Sequence, residues 1–139
     1  MTTREATVAF LFTADLQEVL MLHRAKEPYA GKYNGVGGHV EEGEDPMSAA
    51  VREIREETGI TAVHDFRQSM TVSYPSGWTL HVFHGWIAEK PFFSFYTPDG
   101  DFVWRSTKDM LDMHDPDIAG DGNVAYFIYD ALRYWGCLY

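Results

Sequence analysis

Asp45-Pro46 and Thr58-Gly59 fence off the segment PMSAAVREIREET and leave it one plausible conformation. Asp45 offers an acceptor to the free N–H groups of a first helical turn, Pro46 suits the first helical position, and Gly59 suits the left-handed residue that closes a helix. This pattern predicts a helix over about 46–58. At roughly 100° per residue, Met47, Ala50, Val51, Ile54 and Thr58 share one arc and form the expected buried stripe.

Glu53, Glu56 and Glu57 cluster on a different arc of this helix, and their placement is unfavourable. Residues three and four apart are neighbours, so Glu53 faces both other glutamates, at about 0.2 to 0.5 kcal/mol for each like-charge pair. Negative charge near a helix C-terminus also opposes the macrodipole, for about 0.3 to 1 kcal/mol at an exposed site. Arg52 can relieve Glu56, four residues on, whereas Glu53 and Glu57 have no partner within the helix. Taken alone, the helix fits a solvated acidic face. A hard divalent cation is the other explanation, with two or three carboxylates and a backbone carbonyl as part of its oxygen shell and substrate phosphates completing it.

The remaining elements supply the layers around this helix. Ala6–Phe12 and Glu18–Arg24 are apolar and partly β-branched, and TADLQ connects them, so they read as an early pair of strands. The stretch Ala25 to Gly38 holds four glycines and a proline, which predicts a loop approaching a ligand. AVHDFRQSMTVSY and WTLHVFHGWIAE, joined by Pro75-Ser76-Gly77, predict two long antiparallel strands. In the second, Leu80, Val82 and Trp86 occupy one face and Phe83 and Ile87 the other, the pattern of a sheet covered on both sides. FVWRS reads as a short strand, TKDML as a helical turn and DMHDPDIAGDGN as an acidic loop. Val124, Phe127, Ile128 and Ala131 then recur at helical spacing in a last helix over 123–135. The order predicts an α/β sandwich, with helices on a mixed β-sheet.

Composition narrows the class of partner. The chain has 139 residues, 45% of them hydrophobic, which suits a single domain over 1–139 with a sizeable core. Its formal net charge of -10 disfavours a nucleic-acid polymer or an anionic membrane surface, and means that a small anionic substrate needs metal ions. The single cysteine, Cys137, cannot form an internal disulfide and fits a reducing cytoplasm. With no signal peptide pattern and no apolar run of about 18 residues, the expected location is cytoplasmic, without membrane association. The sequence sets no oligomeric state.

Gly38, then Glu44, then Arg52-Glu53-Ile54-Arg55-Glu56-Glu57-Thr58-Gly59-Ile60 resembles the Nudix box, GX5EX7REUXEEXGU with U aliphatic, at all nine specified positions over residues 38–60. The resemblance implies the Nudix fold, an α/β/α sandwich, although the motif covers only about one sixth of the chain. It also implies hydrolysis of a nucleoside diphosphate linked to another moiety, by attack of water on phosphorus with Mg²⁺ or Mn²⁺ bound at the box helix. Carried onto this sequence, Glu53, Glu56 and Glu57 are the expected metal ligands and catalytic carboxylates, joined by the Gly37 carbonyl. Glu53 is the expected base, with Asp99 and Asp101 as alternatives and Glu89 more distant. Glu44 and Arg52 are expected to pin the loop to the helix as a charged pair.

The stretch GKYNGVGGHVEEGE is similar to the approach to the box in hydrolases that cleanse oxidised purine nucleotides such as 8-oxo-dGTP. Asn34 and Asn123 match base-contacting asparagines of two branches of those hydrolases, and each amide offers a donor and an acceptor to a purine edge. Each also has a plain structural use, Asn34 in a turn and Asn123 as a helix cap. Arg24, with Lys32 as a second, corresponds to a phosphate-contacting basic position. His39 stands where lysine is frequent in these relatives, which removes a fixed positive charge and makes phosphate affinity sensitive to pH near neutrality. These features predict a Mg²⁺-dependent pyrophosphohydrolase that converts a nucleoside triphosphate to the monophosphate and pyrophosphate. Another nucleoside-diphosphate derivative, such as ADP-ribose, a dinucleoside polyphosphate or a nucleotide sugar, is the alternative substrate. A nucleotide-sensing module on the same scaffold is a third reading, although such modules commonly lose the box carboxylates.

Overall fold

The computed structural model describes residues 4–91 and 96–137. Along the chain run strands β1 (Glu5–Thr13), β2 (Glu18–Arg24), β3 (Tyr33–Asn34) and β4 (Val36–His39), helix α1 (Pro46–Thr58), strands β5 (His64–Ser73), β6 (Thr79–Ile87), β7 (Tyr96–Thr97) and β8 (Gly100–Ser106), a 3-10 turn (Lys108–Leu111) and helix α2 (Asn123–Tyr134). The strands form one mixed sheet in the order β5-β6-β1-β2-β8-β7, with β3 added to β2 and β4 to β1.

β1 is the centre of the sheet. It runs parallel to β6 over its whole length, from Glu5 opposite Thr79 to Thr13 opposite Ile87. On its other side it divides its partners, pairing with β2 at Phe12–Val19 and with β4 from Ala6–His39 to Ala9–Val36. The expected early hairpin is therefore tied only near its turn. The glycine-rich segment expected as a loop supplies the second partner, because it carries the short strands β3 and β4. Gly37 makes the close approach of β4 feasible, since a Cβ there would overlap the Thr7 carbonyl.

Both faces of the sheet are covered, as the two-sided pattern of β6 required. Val8, Phe10 and Phe12 of β1, with Val82, pack under Val124, Phe127, Ile128, Ala131 and Leu132 of α2. Ala9 and Leu11, with Phe83, Leu20, Leu22 and Phe102, pack under Ala50 and Ile54 of α1. The result is an α/β/α sandwich. Among the described residues no helix is long and apolar enough to cross a membrane.

Helix α1 keeps its expected ends. Asp45 accepts a bond from the Ser48 amide at 2.8 Å, and Gly59 adopts φ 76 with its N–H on the Arg55 carbonyl. Its buried stripe differs from the expected one, because Met47 and Val51 are 40% and 46% exposed and Ala49 is fully buried. The buried face is Ala49, Ala50, Ile54 and Thr58. Two alanines and a glycine strand let the helix sit close to the sheet, so the small residues set its rotation and the larger apolar ones are left outside.

His84 lies 2% exposed on the α2 side of β6. Burial, then the Arg67 charge, pushes its pKa down to about 4. The unfolded chain, with a value near 6.5, takes up this proton first, so stability is full above about pH 6.5 and falls as the pH drops towards 4. The loss attributable to His84 should approach about 3 kcal/mol at 1.36 kcal/mol per unit. Urea denaturation of the native chain and of His84→Gln across this range measures it. Parallel pH profiles for the two proteins would show that His84 contributes nothing to the slope.

Candidate metal and nucleotide site

The site is assembled on Arg52. Its Nε and Nη2 donate to the two carboxylate oxygens of Glu44 at 2.8 and 3.0 Å, Nη2 also to the His39 carbonyl at 3.1 Å, and Nη1 to Glu53 and Glu56 at 2.9 and 3.2 Å. The expected pairing of Glu44 with Arg52 is thus present as a two-bond fork that fastens the loop to α1. Arg52 holds the Glu44 carboxyl below the usual carboxylate range.

The three glutamates differ in setting. The Glu53 side chain is 13% exposed and that of Glu56 57% exposed. Burial pushes the Glu53 carboxyl above its ordinary range, against the pull of Arg52 and with Glu56 and Glu41 adding to the rise. Glu57 is raised as well, first by burial and then by the charges of Glu53, Asp99 and Glu56. Burial outweighs the one guanidinium at Glu53, and no cation offsets the rise at Glu57. Among the described residues no three His, Cys, Asp or Glu side chains stand gathered as an ion site. Arg52 meanwhile engages the carboxylates of both Glu53 and Glu56.

The setting nonetheless suits a hard divalent ion. The donors are all oxygens, they project from neighbouring turns of one helix, and glycine clears the space below them. Gly38 lies directly under Glu53, where a Cβ would overlap the carboxylate.

On the other side of these glycines is a cavity of about 580 Å³, and Gly37 and Gly38 line it. Arg24, Asn34 and Asn123 line it too, so the structure brings together three of the four residues expected to contact substrate. Arg24 Nε donates to the Pro28 carbonyl at 2.7 Å, which fixes its guanidinium at the mouth of the loop. Asn34 lies in β3, and its side-chain oxygen accepts from the Gly35 amide at 2.8 Å. Asn123 is the first residue of α2; the cap is Gly122 at φ 99, with no side-chain capping bond. Neither asparagine therefore has its amide fully engaged by the plain structural use open to it. Lys32 is absent from the cavity lining, whereas His39 is part of it.

Among the alternative proton acceptors, the structure separates Asp99 from Asp101. Asp99 lies in the turn between β7 and β8, within electrostatic reach of Glu57 and 3.9 Å from Lys26. Asp101 pairs with His23, one residue out of phase with Phe102 and Leu22, which face α1. Strand alternation places Asp101 on the opposite face from the glutamates. Glu89 is exposed beyond the end of β6.

Two further residues of this region carry no role assigned from the sequence. Trp78, just ahead of β6, lines the cavity with its ring 5.0 Å from that of His39. The sequence offers it among several aromatic residues able to wall a base, and places it at the start of the predicted strand WTLHVFHGWIAE, whereas β6 begins one residue later. Thr7 also lines the cavity; it is buried and its hydroxyl has no hydrogen-bond partner. A threonine in the apolar run ATVAFLF was the available sign.

Comparison with known proteins agrees with this fold. The sequence model of the NUDIX domain matches residues 2–119. The NUDIX domain of Shewanella oneidensis NrtR, solved with ADP ribose, superposes with a TM-score of 0.75 at 19% identity, over 97% of this chain and 90% of that one. A Caenorhabditis elegans Ap4A hydrolase gives 0.71 at 18% identity, over 96% and 99%. A MutT structure from work on Aliivibrio salmonicida and Vibrio cholerae gives 0.65 at 19% identity, over 89% and 93%.

Proposed function

We propose that this chain, which belongs to the NUDIX family, is a single-domain, divalent-metal-dependent cytoplasmic hydrolase that cleaves a nucleoside triphosphate to the monophosphate and pyrophosphate. The oxidised purine nucleotide 8-oxo-dGTP is the substrate we place first. The carrying observation is that Gly37 and Gly38 serve two sites at once: they line the nucleotide-sized cavity, and Gly38 lies beneath the Glu53 carboxylate. A phosphate chain entering past Arg24 is thereby delivered to the carboxylate face of α1.

Glu53, Glu56, Glu57 and the Gly37 carbonyl are assigned as the groups that hold Mg²⁺, for which Mn²⁺ can substitute. When bound, the ion polarises the phosphoryl oxygens and lowers the pKa of the attacking water. Arg52 holds Glu53 and Glu56 in place by charged hydrogen bonds. Glu53 takes the proton from water, its carboxyl made more basic by burial. Arg24 pairs with phosphate oxygens, and Asn34 and Asn123 present amide edges to the base with Trp78 at its flank.

A second substrate reading has its own support. Arg24 is the sole arginine or lysine among the described residues that line the cavity, with His39 in place of the lysine frequent in the resembling hydrolases. Little fixed positive charge favours a substrate without a free triphosphate tail, such as ADP-ribose or a dinucleoside polyphosphate.

A hydrolysis panel in H₂¹⁸O with Mg²⁺, read by product mass, tests both readings. Nucleoside triphosphates should show the highest kcat/KM, and higher values for ADP-ribose or Ap4A would replace the first reading by the second. Turnover of no substrate in the panel, with tight nucleotide binding by calorimetry, would establish a sensing module instead. For the base, Glu53→Gln should remove the acidic limb of the kcat profile with pH and Asp99→Asn should retain it. The reverse outcome would move the proton to Asp99.

A further inference from the structure

A second cavity, of about 410 Å³, lies on the outer part of the sheet and shares no lining residue with the first. Arg67 and Ser69 of β5, His84 of β6, and Asp130, Arg133 and Tyr134 of α2 line it. We infer that it binds a small phosphate-bearing anion, gripped by the guanidinium groups of Arg67 and Arg133, with His84 Nε2 donating from the inner wall.

The construction of the cavity carries this inference. Arg67 and His84 are directly opposed across the β5–β6 ladder, and the ladder is irregular on both sides of Arg67, between His64 and Arg67 and between Gln68 and Met70. Such bulges re-aim side chains, and here Arg67 comes to lie over the Tyr134 ring at 3.8 Å. Among the described residues no carboxylate pairs with Arg67. Arg133 reaches Asp130 at 3.4 Å and is otherwise open to solvent. Two guanidiniums stand beside one carboxylate in the lining, with Asp65 in electrostatic reach of His84, in a chain whose net charge is -10. Guanidinium donors match phosphate oxygens in pairs.

The inner wall holds the second observation. His84 is 2% exposed, and its Nε2 is buried without a hydrogen-bond partner. An unpaired buried nitrogen is costly to leave unmade, and a ligand oxygen in the cavity would satisfy it. At neutral pH the imidazole is uncharged and can give this one hydrogen bond.

The test uses the full-length chain with histidine ring isotopes, kept metal-free by chelator so that the carboxylate face is not engaged. Orthophosphate, pyrophosphate and AMP are titrated separately at constant ionic strength against sodium chloride. Saturable movement of the His84 ring signals by at least one of the three, but not by chloride, is expected. Pyrophosphate or AMP as the tightest ligand would mark a released product or a nucleotide as the source, and orthophosphate a free-phosphate sensor. Arg67→Gln and the more exposed Arg133→Gln should each weaken the midpoint by about ten-fold or more without altering hydrolysis at the first site. His84 signals that do not move, that move equally with chloride, or that keep the native midpoint in both variants would overturn the assignment.

Discussion

Glu57→Gln is expected to lower kcat with Mg²⁺ by about 10³-fold or more, because a ligand that offsets charge on the transferring phosphorus is worth several kcal/mol. The same substitution should raise the melting temperature of the metal-free chain. Glu57 is held above the ordinary carboxylate range by burial and by Glu53, Asp99 and Glu56, so its ionised form at neutral pH opposes folding. Neutral glutamine removes that opposition. Activity and stability should therefore move in opposite directions, and adding Mg²⁺ should stabilise the native chain more than the variant. Initial rates and calorimetric melting with and without metal measure these effects. A rate within ten-fold of native, or a lowered metal-free melting temperature, would show that Glu57 is an ordinary surface acid.

Arg52→Ala should produce the largest loss of stability at this site. Its guanidinium holds Glu44, Glu53, Glu56 and the His39 carbonyl together, and two of those carboxylates are largely shielded from water. Removing it leaves their charges uncompensated and frees the loop that Glu44 ties down. Arg52→Lys restores the charge but cannot reproduce the fork on Glu44, so it should recover only part of the loss. Urea denaturation gives the ranking, and equal midpoints for arginine, lysine and alanine would mean that the fork does not hold the loop.

Features set by neighbours in sequence were readable in advance. Asp45, Pro46 and Gly59 define α1 through local hydrogen bonds and backbone preferences, and the structure reproduces its limits. The two-faced pattern of β6 likewise announced helices on both sides. The rotation of α1 was hidden, because it depends on how close the glycine strand lets Ala49 and Ala50 approach. The same strand explains why β1 and β2 part company, since β4 competes for the edge of β1. At the site, Arg24, Asn34 and Asn123 could be placed through resemblance, and their convergence is a product of the whole sheet. The separation of Asp99 from Asp101 needed the register of β8 on β2, which no local pattern encodes.

The parallel pairing of β1 with β6 also has a consequence for synthesis. Each β1 residue finds its β6 partner 74 positions downstream, as Glu5 with Thr79 and Thr13 with Ile87. At roughly 5 to 20 residues per second, the ribosome takes about 4 to 15 s to make the intervening chain. Val8 to Phe12, apolar on both faces, must wait that long for its full-length partner, with only β2 and β4 to cover one edge. Folding should therefore be limited by this distant contact, with nascent chains most exposed to aggregation before Ile87 leaves the exit tunnel.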